Sequence, residues 1–191
     1  MSTASIHARA HPTPAGLQSA RRMQTAPPVA AEPALASHSV DGETASSVSR
    51  VMDMMGGRKV LKAAPLSRAD VHDLIQSGLP TRSVNALVSG AVVLSSEQML
   101  DAIGISLRTY QRFKGARDGS LSSEQSDRAW RLSELLVKAA ELFGSKQEAE
   151  RWFDTPAPAL ERKKPIELMG SSVGARMVEQ LLGRIEHGVY T

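Results

Sequence analysis

The chain has no cysteine. That absence excludes disulfides, thiolate zinc sites and cysteine nucleophiles outright, and it fits a reducing cytosol. Aromatic residues are scarce, at 4% of 191 residues, so a core has to be built from Leu, Val, Ile, Ala and Met. An excess of one charge sign is nearly missing too: 23 Lys and Arg face 20 Asp and Glu, a net charge of +3. A basic surface for a polyanion must then come from local clustering. No apolar run approaches the ~20 residues that cross a bilayer, and the amino terminus lacks the charged-then-apolar order of a secretory leader. A soluble cytoplasmic protein without membrane contact is expected.

Catalytic chemistry is missing as well. The five histidines (His7, His11, His38, His72 and His187) give no His-x-x-x-His ligand pair on a helix. Gly56-Gly57-Arg58-Lys59 shares only letters with a phosphate-binding loop and reads as a helix cap. Asp70 and Asp73 beside His72 read as a solvated helix face. No catalytic residue, metal ligand or cofactor is expected, and the chain reads as a non-enzyme.

What is present is a succession of helical patterns. Residues 1–45 are rich in Ala, Pro, Ser and Thr, hold five of the ten prolines and show no apolar periodicity; they read as a disordered arm. From Ser46 the pattern turns helical, with Val48, Val51, Met52 and Met55 on one stripe before Gly56-Gly57. Ser67 reads as an N-cap ahead of Val71, Leu74 and Ile75, and Pro80 suits the first turn of a helix carrying Val84, Leu87 and Val88. Ser95 with Gln98, Ser122 with Gln125 and Ser145 with Glu148 form capping boxes. The long helix after Ser122 carries Ala129, Leu132, Leu136, Ala139 and Phe143 with Trp130 beside them, and Gly144 closes it. A last helix carries Val173, Met177, Leu181 and Ile185 at successive i+4 steps. The expectation is an all-α chain: a disordered arm over 1–45, a helix-turn-helix domain over 46–120 and a small helical domain over 121–191.

Residues 95–117, SSEQMLDAIGISLRTYQRFKGAR, read as a helix, a turn at Gly104 and a second helix. The turn of a helix-turn-helix needs a residue that tolerates positive φ, which Gly104 supplies. Leu100, Ile103, Ile105, Tyr110 and Phe113 can form the core beneath the corner. Arg108, Gln111 and Arg112 then face outward, where Arg can pair with guanine edges and Gln with adenine. Lys114 and Arg117 suit phosphates. Leu100 and Tyr110 are larger than the Ala and Val or Ile usual at those slots, and larger side chains change the angle between the helices.

The chain finishes Gly188-Val189-Tyr190-Thr191 after the amphipathic last helix. From spacing alone, Val189 and Tyr190 either fold back on the core or insert into a partner. WFDTPAPALERKKPIELMGSSVGARMVEQLLGRIEHGVY, Trp152 to Tyr190, resembles the carboxy-terminal domain of the Xre/MbcA/ParS antitoxins, and the stretch from GISLRTYQRFK onward resembles their Xre-like amino-terminal domain. The chain departs from many relatives at Glu161-Arg162, where they have Gly-Gly, and in its long arm.

That resemblance implies a type II antitoxin without catalysis. Its partner would be a RES-domain toxin that depletes NAD, blocked by the antitoxin's carboxy-terminal segment, and its helix-turn-helix would bind the operon's promoter. Carried onto this chain, the toxin-facing candidates are Arg184, Glu186, His187, Gly188, Val189, Tyr190 and Thr191, and the DNA-reading candidates are Ser106, Arg108, Thr109, Gln111, Arg112, Lys114 and Arg117. A homodimer is expected, because operator palindromes mirror a two-fold axis. The alternatives are a stand-alone helix-turn-helix regulator without a toxin and an interaction protein that has lost DNA binding.

Overall fold

The first helix, α1, spans Ser37–Met54, so the segment assigned to a disordered arm through residue 45 is helical from Ser37. The second half of α1 buries Val48, Val51 and Met52. Extending a formed helix fixes one residue per hydrogen bond, so a segment without its own apolar stripe can propagate from that nucleus. The computed structural model describes residues 37–65, 67–115 and 119–188. The remainder of the arm, Arg117, Val189, Tyr190 and Thr191 lie outside the described residues.

Gly56, at φ +96°, turns the chain into a short helix α2, Gly57–Leu61. Then come α3 (Arg68–Ser77), α4 (Thr81–Gly90), α5 (Ser96–Ile103), α6 (Leu107–Gly115), α7 (Ser123–Phe143) and α8 (Lys146–Phe153). A 3-10 turn at Pro158–Leu160, a one-turn helix α9 (Pro165–Leu168) and α10 (Ser172–Glu186) complete the order. Among the described residues there is no β-strand, only isolated bridges Pro80–Ser120 and Ala157–Lys163. The fold is all-α, as the periodicity predicts, and the described residues form one compact unit.

Serine side chains set many of the starts. Ser67, Ser95, Ser122, Ser145 and Ser171 each accept the backbone N–H three residues on, satisfying one of the orphan donors of a helix N-terminus. At Ser95 and Ser122 the predicted capping boxes close, with Gln98 and Gln125 accepting the cap's own N–H. At Ser145 only half of the predicted box forms, because Glu148 turns to accept from Arg151 Nη1 at 2.5 Å instead.

The long helix α7 is the axis of the fold. It buries Ala129, Trp130, Leu132, Leu135, Leu136, Val137 and Ala139 and packs against α1, α3, α5, α8 and α10. Its buried hydroxyls each back-bond to their own helix, and one also ties in a distant segment. Ser126 Oγ donates to Ser122 O at 2.8 Å and accepts Leu79 N–H at 2.9 Å, and Ser133 Oγ donates to Ala129 O. Among the described residues no buried side-chain nitrogen or oxygen lacks a hydrogen bond, as a native interior requires.

The stripe predicted for the last helix is rotated. Val173 is 59% exposed, while Gly174, Ala175, Val178, Leu181 and Leu182 are buried and Met177 and Ile185 only half-buried. Gly174 is the reason. A Cβ there would lie 2.2 Å from the Leu168 carbonyl oxygen, so the backbone of α10 touches the end of α9 at a residue without a side chain. Hydropathy gives a glycine no weight, and the sequence pattern centres on Val173 instead.

One acid of α7, exposed at its edge, carries a pH signature. Trp130 Nε1–H donates to Glu134 Oε1 at 2.8 Å. Desolvation by the groups packed around it pushes the Glu134 carboxyl above its ordinary range, against the opposing pull of the Trp130 N–H and of Arg68. A raised carboxyl means the folded state holds its proton longer than the unfolded chain. Ionised Glu134 therefore costs stability at neutral pH, and that cost disappears as pH falls through the raised value. Glu134→Gln keeps an acceptor for Trp130 and is expected to melt above wild type at neutral pH. The difference should close as pH falls to the ordinary glutamate range; a constant difference across that window in thermal melts would contradict the assignment.

Candidate functional site

The corner between α5 and α6 is built from the backbone outward. Gly104 sits in the left-handed region at φ +79°. Its N–H donates to Asp101 O, and Ile105 N–H reaches back to Leu100 O at 2.9 Å, closing the end of α5. The first turns of α7 cover the corner. Gln125 Nε2 donates to Gly104 O at 3.4 Å. Arg128, paired with Glu124 at 2.5 Å, lies so close that a Cβ on Gly104 would come 2.5 Å from its Nη1. The left-handed backbone conformation favours glycine here; the Arg128 guanidinium, at the end of a flexible side chain, can shift aside.

Beneath the corner Leu100, Ile103, Ile105 and Tyr110 are buried and Phe113 is half-buried. Tyr110 fits a slot that usually holds Val or Ile because its hydroxyl donates to Asn85 Oδ1 on α4 at 3.1 Å. A buried tyrosine needs a partner for its O–H, and α4 supplies it.

The predicted DNA readers divide into two groups. Ser106 and Thr109 are engaged with each other: their hydroxyls lie 2.9 Å apart, and Thr109 N–H donates to Ser106 Oγ, which caps α6. Arg108, Gln111, Arg112 and Lys114 are exposed on the outer face of α6. Lys114 Nζ stands 4.9 Å over the Tyr110 ring, a cation–π contact. Periodicity places Leu107 in neither the core nor the outer face of α6; it is 55% exposed.

At the other end, Arg184, Glu186, His187 and Gly188 are exposed at the end of α10. Glu186 accepts an ion pair from Lys138 of α7 at 3.0 Å, and that ammonium holds its carboxyl below the ordinary range. Glu186 thus ties α10 to α7. Gly188 takes φ +69° with open space around it, so the chain leaves the helix there.

Long-range bonds that no local pattern signals link the two regions. Glu150 of α8 is buried, and its Oε2 accepts three consecutive backbone N–H groups of the segment entering α5: Val92 at 2.7 Å, Val93 at 2.6 Å and Leu94 at 3.1 Å. Gln98 of α5 donates to Asp154 Oδ1 at 2.5 Å, and Lys164 donates to the same oxygen at 2.8 Å. Lys164 is the main cause that draws the Asp154 carboxyl below its ordinary range. The entry to α5 is therefore held from the carboxy-terminal region.

This geometry meets its relatives at both ends. Residues 70–134 match the antitoxin Xre-like helix-turn-helix domain, and residues 138–188 match the antitoxin Xre/MbcA/ParS C-terminal toxin-binding domain. An "Antitoxin Xre" of Yersinia enterocolitica is 33% identical over 129 residues, 66% of this chain and 86% of that relative. The chain belongs to the Xre/MbcA/ParS antitoxin family. An "Antitoxin Xre" of Photorhabdus laumondii is 29% identical over 120 residues, 62% of this chain and 80% of the relative. A "Prs ADP-ribosylating antitoxin" of a Sphingobium strain is 24% identical over 142 residues, 70% of this chain and 86% of that protein.

Within the family frame the α5–α6 corner lies inside the helix-turn-helix match, and Arg184 to Gly188 lie at the far end of the toxin-binding match. No described helix is long and apolar enough to cross a membrane.

Proposed function

We propose that this antitoxin-family protein neutralises a RES-domain toxin that consumes NAD, its carboxy-terminal segment filling the toxin's NAD cleft, and that α6 binds the promoter of its own operon as a repressor. The observation that carries the toxin half is the reach of the toxin-binding match, which runs to residue 188, two residues past the end of α10. The name of the Sphingobium relative supports NAD chemistry, because ADP-ribosylation takes its ADP-ribose from NAD. A cleft for NAD accepts a flat ring and a pyrophosphate. Its plug needs a ring, a cation and a narrow backbone: Tyr190, Arg184 and Gly188. Val189 and Thr191 adjoin Tyr190 in sequence, and His187 is exposed. Co-expression of this chain with the product of the adjacent gene, scoring growth and cellular NAD, tests the reading; a neighbour that is harmless or leaves NAD unchanged overturns it.

The DNA half rests on the exposed face of α6, where Arg108, Gln111, Arg112 and Lys114 stand clear of the core; Arg117 follows in sequence as a further phosphate contact. Arg112→Ala is expected to weaken operator binding by roughly 1–3 kcal/mol and to relax specificity. Lys114→Ala weakens binding to all sequences about equally and flattens the salt dependence. Equal affinity of wild type and the double variant for operator DNA overturns the assignment. The protein acts as a homodimer on a two-fold operator, which ultracentrifugation of the free and DNA-bound protein checks.

A further inference from the structure

Val92, Leu107 and Val173 are large apolar side chains exposed to 64%, 55% and 59%. Leu107 is the one that stands on the outer face of α6. It is the first residue of that helix, directly after the capping Ser106. Folding gives no reason for it to be apolar. A helix start is often clamped by an apolar pair, one residue before the cap and one in the first turn, but here Ile105 and Tyr110 hold those positions and are already buried. Leu107 shares its face with the exposed Arg108, Gln111 and Arg112, and Gln111 lies one turn beyond it. An exposed apolar side chain ringed by cations and an amide suits a polyanion that presents an apolar group between hydrogen-bonding ones. The major groove does this at each A·T pair, where the thymine 5-methyl stands beside the adenine N6 and N7 edge.

We infer that Leu107 is a specificity-determining residue that meets thymine 5-methyl groups in the major groove, one turn from Gln111 on the adenine edge. The inference rests on the DNA reading proposed above. The amino-terminal residues of a recognition helix are those that reach base edges, and Leu107 is the first. Loss of one buried methyl costs about 0.8 kcal/mol, which at 1.4 kcal/mol per tenfold is about fourfold in affinity for each methyl contacted.

The test uses the full-length protein and duplex DNA spanning the region directly upstream of its gene, made once with thymine and once with uracil throughout. Kd values at one fixed salt are compared for wild type, Leu107→Ser and Leu107→Met. Wild type and Leu107→Met are expected to lose at least about fourfold on the uracil duplex, while Leu107→Ser binds the thymine duplex more weakly and does not distinguish the two. Because Leu107 is exposed, Leu107→Ser should melt like wild type, which separates lost reading from lost fold. If wild type binds its upstream DNA but ignores the methyl, or if Leu107→Ser keeps the full thymine preference, the role of Leu107 is overturned and the DNA reading stands. A shift in association state with unchanged thymine preference also overturns it, making Leu107 a protein interface. Wild-type protein that binds upstream and random DNA equally overturns both.

Discussion

Deletion of residues 188–191 is expected to abolish rescue from the cognate toxin while leaving fold and promoter binding intact. Interface energy concentrates in a few Tyr and Arg anchors, each worth about 2 kcal/mol or more, so loss of one such ring weakens the complex by roughly thirtyfold. A Cβ at Gly188 would meet nothing within 4 Å, its N–H donates only to Ile185 O in the last turn at 3.0 Å, and a chain end beyond a helix-stopping glycine carries little of the core. The ties between α10 and the body, Val178, Leu182 and the Glu186–Lys138 pair, all precede the cut. Growth and NAD would be scored on co-expression of the toxin with full-length, truncated and Tyr190→Ala protein, with melting and operator affinity as controls. Tyr190→Ala should fall between the other two. Full rescue by a truncated protein that still folds would move neutralisation to another surface.

Glu150→Ala should be among the most destabilising single changes in the described residues. The carboxylate is buried and accepts three backbone donors at the entry to α5. Each buried donor left without a partner costs about 1–3 kcal/mol, and water can reach the partly exposed Val92 end, so a net loss of roughly 3 kcal/mol is expected. For a chain of this size that corresponds to a fall of roughly 6–12 °C in Tm. Glu150→Gln keeps one acceptor oxygen and should lose about half as much. Because these donors lead into α5, operator binding should weaken in Glu150→Ala beyond what the unfolded fraction explains. Unchanged Tm in Glu150→Ala would mean that solvent satisfies the segment and that α8 does not hold the corner.

Much of this protein is legible locally. Capping at Ser95 and Ser122, the stop at Gly104 and the stripe of α7 are short-range features, decided by hydrogen bonds three or four residues apart. The outer face of α6 follows from the same period, since Tyr110 and Phe113 fix which side is inward. The antitoxin family is legible for a related reason: its carboxy-terminal pattern is a run of contiguous residues.

What stayed hidden depended on another part of the chain. The helix over residues 37–45 grows from the buried half of α1 and carries no apolar stripe of its own. The face of α10 is set by a backbone contact at Gly174, where close approach outweighs the hydropathy of Val173. Tyr110 suits its slot only because Asn85 stands opposite, and Leu107 is notable only once Ile105 and Tyr110 are seen to do the clamping without it. The sequence by itself determined most of the helices after residue 45, the caps at Ser95 and Ser122, the corner and the family. Tertiary structure alone decided that Glu150, Gln98 and Asp154 would bind the α5 entry to the carboxy-terminal region, because those partners are more than fifty residues apart and only the packing of α8 against α7 brings them within hydrogen-bond reach.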